Sequence, residues 1–63
     1  MPSSREVIQR LQAGGWVLVR VKGSHHQYQH PTKLGTVTVK HPVKDYKPGT
    51  LRSMERQAGL TLR

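Results

Sequence analysis

A Gly-Ser pair followed at once by histidine is the part of this sequence best equipped for chemistry. The segment reads Lys22-Gly23-Ser24-His25-His26-Gln27-Tyr28. Histidine can give and take protons near neutral pH, because its ordinary pKa lies in that range. RNA can be cut by proton transfer alone, since its own ribose 2′-OH supplies the nucleophile. The segment therefore predicts acid–base chemistry carried by an imidazole beside this turn.

The charge of the chain indicates the kind of partner. Eleven Lys and Arg stand against three acids, which gives a formal charge of +8 over 63 residues. Such a field attracts polyanions, and neutralising phosphates releases counterions, which gives affinity without any reading of sequence. A chain kept soluble by its charge, or a basic ribosomal or membrane-surface peptide, fits the same composition. Charge alone does not choose between these classes.

Other catalytic chemistries lack the residues they need. The acids Glu6, Asp45 and Glu55 are scattered, whereas a two-metal nuclease site needs clustered carboxylates. The chain has no cysteine to serve as a nucleophile. His26 and His30 lie four residues apart on a predicted strand, too far to share one ion directly. We therefore predict neither a metal site nor a cofactor.

Length and composition bound the organisation of the chain. Its 63 residues predict one domain, 1–63, with a marginal core. No apolar run approaches the roughly 18 to 20 residues of a membrane span, and the first residues lead into a helix pattern rather than a signal peptide. The absence of cysteine permits a reducing compartment. We expect a cytoplasmic protein without membrane association, steadied by a partner.

Periodicity and turn residues predict five elements. Ser3 and Glu6 have the spacing of a capping box, and Gly14-Gly15 ends the apolar helical pattern that follows. Valine alternation and Gly, Pro and Ser turns separate three short strand patterns. Gly59 is typical of a helix stop, with Thr50 as the candidate N-cap. The predicted elements are helix 4–13, strands 16–22, 25–30 and 36–40, and helix 50–58.

The same patterns predict which side chains face the core. The first strand is expected to have one well-buried face, with its three valines on one side, and Val37 and Val39 are expected to point inward. Trp16 and Tyr28 are interpreted as core residues, although aromatic side chains in RNA-binding sheets also stack on bases. The helices should pack on the sheet through four apolar residues, Ile8, Leu11, Leu51 and Met54. The opposite face of the sheet is then free for a ligand.

Together these elements predict an α+β fold. Short connections between the strands imply an antiparallel meander. The expected architecture is a two-layer sandwich of α-β-β-β-α order, with a three-stranded antiparallel sheet and both helices on one face.

Several segments resemble the family of HicA-type toxins. The resemblance rests on the Gly15–Arg20 run leading into the Gly-Ser-His turn, on Val37-Thr38-Val39, and on Lys47-Pro48-Gly49-Thr50-Leu51 at the second helix, and it covers nearly the whole chain. It implies a fold like the double-stranded-RNA-binding domain and an RNA-cutting toxin of a toxin–antitoxin pair. It further implies a HicB-type antitoxin as inhibitor, with oligomers formed only through that complex.

The resemblance also implies which histidine acts. The histidine that follows Gly-Ser in the family corresponds here to His25, and His26 is not the matching position. Successive strand residues point to opposite faces, so the two rings are not expected to share a site. His26, His30 and His41 are interpreted as structural or surface residues.

The expected activity is metal-independent cleavage of messenger RNA. His25 is predicted to act as general base or acid. Lys22, the backbone of Gly23 and Ser24, and Lys40 are predicted to bind the RNA around the scissile phosphate, because a glycine turn allows close approach and its N–H groups can hold an anion.

Two other functions fit the same residues. A small RNA-binding module without catalysis would act by occupying its target. A DNA-binding protein is disfavoured, because the apolar stripe of the second helix is expected to be buried and no Asn accompanies its arginines to read bases.

Overall fold

The computed structural model describes residues 2–63, so Met1 of the predicted domain lies outside the described residues. Two helices flank three strands in chain order: α1 (Ser4–Ala13), β1 (Val17–Lys22), β2 (His25–Gln29), β3 (Thr36–Lys40) and α2 (Pro48–Ala58). Within residues 2–63 no helix has the length and apolar character needed to cross a membrane.

Helix α1 begins at the predicted capping box. The Ser3 hydroxyl accepts the Glu6 backbone N–H at 3.3 Å, and the Ser3 N–H donates to the Glu6 carboxylate at 3.1 Å. These two bonds satisfy N–H groups that a helix start otherwise leaves unpaired. They also hold the pKa of Glu6 below its ordinary value, because hydrogen bonds from Ser3 favour the ionised carboxylate.

The three strands form one antiparallel sheet in the order β1-β2-β3. Strand β2 is central, and β1 and β3 are the two edges. The β2–β3 register is regular from His25↔Lys40 to Gln29↔Thr36. Since directly opposed residues share a face, this register decides which side chains lie together.

One face of the sheet carries the core. Tyr28, Val37 and Val39 are buried there. They pack with a cluster from both helices and the flanking segments, made up of Val7, Leu11, Trp16, Tyr46, Leu51, Met54, Ala58 and Leu62, against which Ile8 is partly buried. Both helices thus cover the same face, and the predicted α+β sandwich of α-β-β-β-α order is confirmed.

The predicted buried face of the first strand is wrong. Every residue of β1 is exposed, and none belongs to the core cluster. The register shifts between Leu18 and Arg20, so the chain has an irregularity at Val19. Leu18 is then opposite Tyr28 and Val21 opposite His26, while Val17 is opposite Gln29 on the other face. A β-bulge breaks strict alternation, so the three valines do not share one side.

The second helix begins two residues earlier than predicted. It starts at Pro48, with Lys47 as the N-cap and no side-chain capping bond, so the assignment of Thr50 as N-cap is wrong. Proline suits the first helical turn because its missing N–H would be unpaired there in any case. Gly59 ends the helix in a left-handed conformation at φ 66°, as expected.

Candidate nucleic-acid interface

The Gly23-Ser24 turn joins β1 to β2 as a two-residue hairpin loop between the opposed pair Lys22 and His25. Gly23 has φ 58°, and Ser24 does not have a positive φ. This order of signs is that of a type II′ turn, which favours glycine at its first central position. The His41 N–H donates to the Ser24 carbonyl at 2.8 Å, which ties the turn to the end of β3.

A row of three side chains crosses the sheet beside this turn. Lys22 is opposite His25, and His25 is opposite Lys40. Neighbouring strands lie about 4.8 Å apart, so each ammonium group can reach the space above the imidazole. All three residues are exposed on the face that carries no helix. The structure therefore places Lys22, His25 and Lys40 side by side. These three predicted site residues come from three different strands.

His26 lies on the opposite face from His25. It is opposite Val21 and Val39, and its ring packs edge-on against the ring of His41 at 5.0 Å between centroids. The expectation that the two adjacent histidines face different environments is confirmed.

His41 anchors the end of β3 to helix α1, a contact that the sequence did not reveal. Its Nδ1 lies 2.7 Å from the Oγ of buried Ser4. Ser4 Oγ also accepts the Val43 N–H at 2.8 Å and lies 3.2 Å from the Val43 carbonyl. All these contacts are satisfied when the His41 Nδ1–H and the Val43 N–H donate to the hydroxyl while the hydroxyl donates to the Val43 carbonyl. The partners lie 37 residues apart, so no local spacing could signal them.

His30 has a structural role at the start of β1. Its Nδ1 accepts the backbone N–H groups of Thr32 and Lys33 at 3.1 and 3.2 Å, so the ring proton lies on Nε2, which donates to the Gly14 carbonyl at 3.0 Å. The ring also packs edge-on against buried Trp16 at 5.3 Å between centroids. A Cβ at Gly15, where φ is 93°, would lie 2.8 Å from Nε2. Glycine is therefore required for the chain to pass this ring.

The second row of side chains on the open face is polar. Arg20, Gln27 and Thr38 form the next row along the strands, which the sequence did not single out as a set. Trp16 and Tyr28 are buried, which confirms their interpretation as core residues and leaves them unavailable to stack on bases. Burial also raises the pKa of the Tyr28 phenol above its ordinary value.

Neither a pocket nor a metal cluster is found in residues 2–63. No group of three or more His, Cys, Asp or Glu in this range could hold an ion. The described surface has no enclosed pocket. The exposed side chains of the Lys22–His25–Lys40 row lie on an open surface.

Comparisons with known proteins identify the family and agree with the fold. A family model described as the HicA toxin of bacterial toxin–antitoxin systems matches residues 4–60. A solved structure titled "HicA3 and HicB3 toxin-antitoxin complex" superposes with a TM-score of 0.84 and 32% sequence identity, covering 97% of this chain and 98% of that chain. No curated protein gives a significant match. The family match spans nearly the whole chain, and this protein therefore belongs to the HicA family of bacterial toxins.

Proposed function

We propose that this toxin is a metal-independent endoribonuclease that cuts messenger RNA in the cytoplasm with His25 as its proton carrier. The observation that supports this most strongly is the row of Lys22, His25 and Lys40 across the open face. An exposed imidazole between two ammonium groups offers a phosphodiester both a proton acceptor and charge neutralisation.

The proposed reaction uses the RNA as its own nucleophile. His25 accepts the proton of a ribose 2′-OH, and the 2′ oxygen attacks the adjacent phosphorus. The bond from phosphorus to the 5′ oxygen of the next nucleotide breaks, and this oxygen takes a proton from the imidazolium or from water. Atoms and charge balance without a metal or a water nucleophile. The products of this step are a 2′,3′-cyclic phosphate and a 5′-hydroxyl.

The two lysines act through charge rather than through proton transfer. Negative charge accumulates on the phosphate oxygens as the 2′ oxygen attacks, and fixed cations beside them stabilise that state more than the ground state. Lys22 and Lys40 lie on either side of His25 in the register, so they can reach the phosphate from both sides. The Gly23-Ser24 turn closes one end of this site and leaves space for the RNA backbone, since a Cβ at Gly23 would meet no atom within 4 Å.

A HicB-type antitoxin is the proposed inhibitor. The structural neighbour is by its title a complex of HicA3 with HicB3. The match extends over almost all of this chain and almost all of the one matched chain in that structure. The charge of +8 on this chain favours a partner that carries acidic residues. The toxin is proposed to form oligomers only as part of that complex.

The experiment that tests catalysis compares two adjacent histidines. Purified His25→Ala and His26→Ala proteins are incubated with end-labelled messenger RNA in EDTA, beside the unmodified chain. His25→Ala should lower the cleavage rate by about 10²- to 10⁴-fold while keeping RNA affinity, because one proton carrier contributes about that much. His26→Ala is the matched control, and its cleavage should persist because its ring faces away from the row.

Each alternative has its own result. Tight binding of RNA that stays intact with every protein would replace the nuclease with the non-catalytic RNA-binding module. Cleavage that stops in EDTA would exclude the metal-free reaction. Cleavage lost in His26→Ala but kept in His25→Ala would move the site to the other face of the sheet.

The lysines are tested by Lys22→Gln and Lys40→Gln. Each should weaken RNA binding and reduce the salt dependence of affinity by about one counterion, and each should also lower the rate at saturating RNA. Arg10→Gln, an exposed change on α1, is the control for the loss of one positive charge. Equal effects of all three substitutions would show that net charge, rather than position beside His25, supports the reaction.

A further inference from the structure

Strand β1 carries apolar surface that the fold does not use. Val17, Leu18, Val19 and Val21 are 55%, 42%, 51% and 52% exposed. Leu34, in a loop, is the remaining large exposed aliphatic residue in the described part of the chain. The core cluster contains no β1 residue. In a chain of 63 residues with a small core, leaving four neighbouring aliphatic side chains in water calls for an external partner.

The backbone of β1 is also available. It is an edge strand that pairs with β2 on one side, and no further strand among residues 2–63 pairs with its other side. An edge of this kind offers a row of N–H and C=O groups to an added strand. We call this outer side of Val17–Lys22, with its four aliphatic side chains, the β1 edge.

We propose that the β1 edge is the docking site for an extended strand of the antitoxin, a segment that combines aliphatic side chains with carboxylates. This inference rests on the proposed function for the identity of the partner. Exposed aliphatic residues lie on both faces of β1, with Leu18 and Val21 on the helix side and Val17 on the open side. An added strand continues both faces of a sheet at once, so it covers all of them together.

The charges on β1 favour an acidic segment. Arg20 and Lys22 are exposed within the strand, and no Asp or Glu lies in it. Carboxylates on the added strand would pair with these two cations across the new ladder. A second copy of this chain fits poorly, because it would bring the same cations and another formal charge of +8 against the first.

Membrane and RNA fit the β1 edge less well than a strand does. A membrane surface binds apolar residues that lie on one side of an element, whereas those of β1 point to two. RNA gains little from aliphatic side chains, and its charge is better met by the row at His25. Lys22 belongs both to the β1 edge and to the Lys22–His25–Lys40 row. A strand docked on the β1 edge would therefore also border the proposed RNA site.

If the antitoxin docks on the β1 edge, substitutions there should weaken antitoxin binding without changing the rate of RNA cleavage. In the double variant Val17→Ser/Val19→Ser, apolar area is removed without a change of charge. Leu34→Ser is the matched control, since Leu34 is 97% exposed and distant from β1 in sequence. Each toxin is titrated with a purified HicB-type antitoxin that inhibits the unmodified toxin, and RNA cleavage and complex formation are measured in parallel.

The double variant should cleave RNA at the rate of the unmodified toxin, yet bind the antitoxin roughly tenfold or more weakly and escape inhibition. Leu34→Ser should behave as the unmodified toxin. Hydrogen exchange on the unmodified complex should show new protection of β1 amides. Unchanged antitoxin affinity of the double variant, or protection confined to the outer faces of α1 and α2, would overturn the docking site while leaving the nuclease intact.

The other occupants give different results. A toxin dimer in solution that the double variant abolishes would assign the β1 edge to a second copy. Binding to anionic lipid vesicles, or to RNA, that the double variant weakens would assign it to those ligands instead. Loss of cleavage only in His25→Ala, with antitoxin affinity unchanged there, would support the nuclease independently of the β1 edge.

Discussion

Strands β1 and β3 have similar sequences and opposite environments. Both place valines at alternate positions, in Val17-Leu18-Val19-Arg20-Val21-Lys22 and in Thr36-Val37-Thr38-Val39-Lys40. Val37 and Val39 are fully buried, whereas the valines of β1 are about half exposed. Both helices contact β3. Alternation therefore predicts that a strand has two different faces. Whether one of these faces is buried depends on where the helices pack.

The two strands are also held differently. Strand β3 is held along its length by the core. Strand β1 is held along one side by its ladder with β2 and at its start by buried Trp16, which packs on His30. At its end, the Gly23-Ser24 turn and the bond from His41 N–H to the Ser24 carbonyl fix the site. The strand that contributes Lys22 to the Lys22–His25–Lys40 row thus stays accessible to an external partner.

The largest expected contrast comes from placing the same charge in each strand. Val39→Asp puts an unpaired carboxylate into the core and should cost about 3 kcal/mol or more, which is comparable with the whole stability of so small a domain. Val19→Asp should cost less than about 1 kcal/mol, since the side chain stays in water and only strand propensity is lost. Urea unfolding followed by circular dichroism measures both.

Similar losses in the two variants would mean that β1 is covered in solution. Val39→Ala serves as the control for the loss of packing alone, so that the contribution of the charge can be separated from that of the cavity.

The second contrast concerns the anchor at the start of β1. His30→Ala removes the bond to the Gly14 carbonyl, the acceptor for two backbone N–H groups and the contact with Trp16. We expect a loss of about 1 to 3 kcal/mol, as for other partly buried hydrogen-bonded groups. Hydrogen exchange should accelerate in β1 and at Trp16 more than in β3. His25→Ala, which changes an exposed ring, is the control and should alter neither strand.

Uniform acceleration across the sheet after His30→Ala would contradict a local anchor. It would show instead that β1 and β3 open together as one cooperative unit.

Local signals predicted much of this molecule, and long-range packing accounts for the rest. The capping box at Ser3 and Glu6, the inward valines of β3 and the opposed directions of His25 and His26 follow from short spacings. The exposure of β1 does not, because it depends on where two helices settle and on a bulge at Val19. The start of α2 was misplaced since Pro48 fits the first turn of a helix as well as the loop before it.

The candidate site divides in the same way. Lys22, Gly23, Ser24 and His25 are contiguous, so the turn itself could be predicted. The sequence places Lys40 only near the turn-bearing sheet. Its position opposite His25 follows from the β2–β3 register. The bond between Ser4 and His41 joins residues that no sequence pattern links. Partly buried polar pairs of this kind become visible only when the fold brings their elements together.

The smallest expected contrast is in the response to acid. The Glu55 carboxylate accepts the Leu62 N–H at 2.8 Å, and Leu62 is fully buried in the core cluster that covers β3. This hydrogen bond lowers the pKa of Glu55 below its ordinary value of 4.5, with a further contribution from Arg63, whose Nε lies 3.6 Å from the carboxylate. A lowered pKa means that the folded state favours the ionised form.

The lowered pKa of Glu55 makes the fold less stable in acid. The stabilisation from Glu55 is complete above pH 4.5 and is lost as the pH falls through the lower pKa of the folded state. Acid should therefore release the Leu62 amide and loosen the cover of β3, while the exposure of β1 stays as it was. Amide exchange followed by NMR at decreasing pH, with correction for the intrinsic rate, measures this. Glu55→Gln is the control, and its Leu62 amide should lack the acid step. An acid step that survives in Glu55→Gln would place its origin in another carboxylate, such as that of Glu6 in the capping box at α1, whose pKa is also lowered.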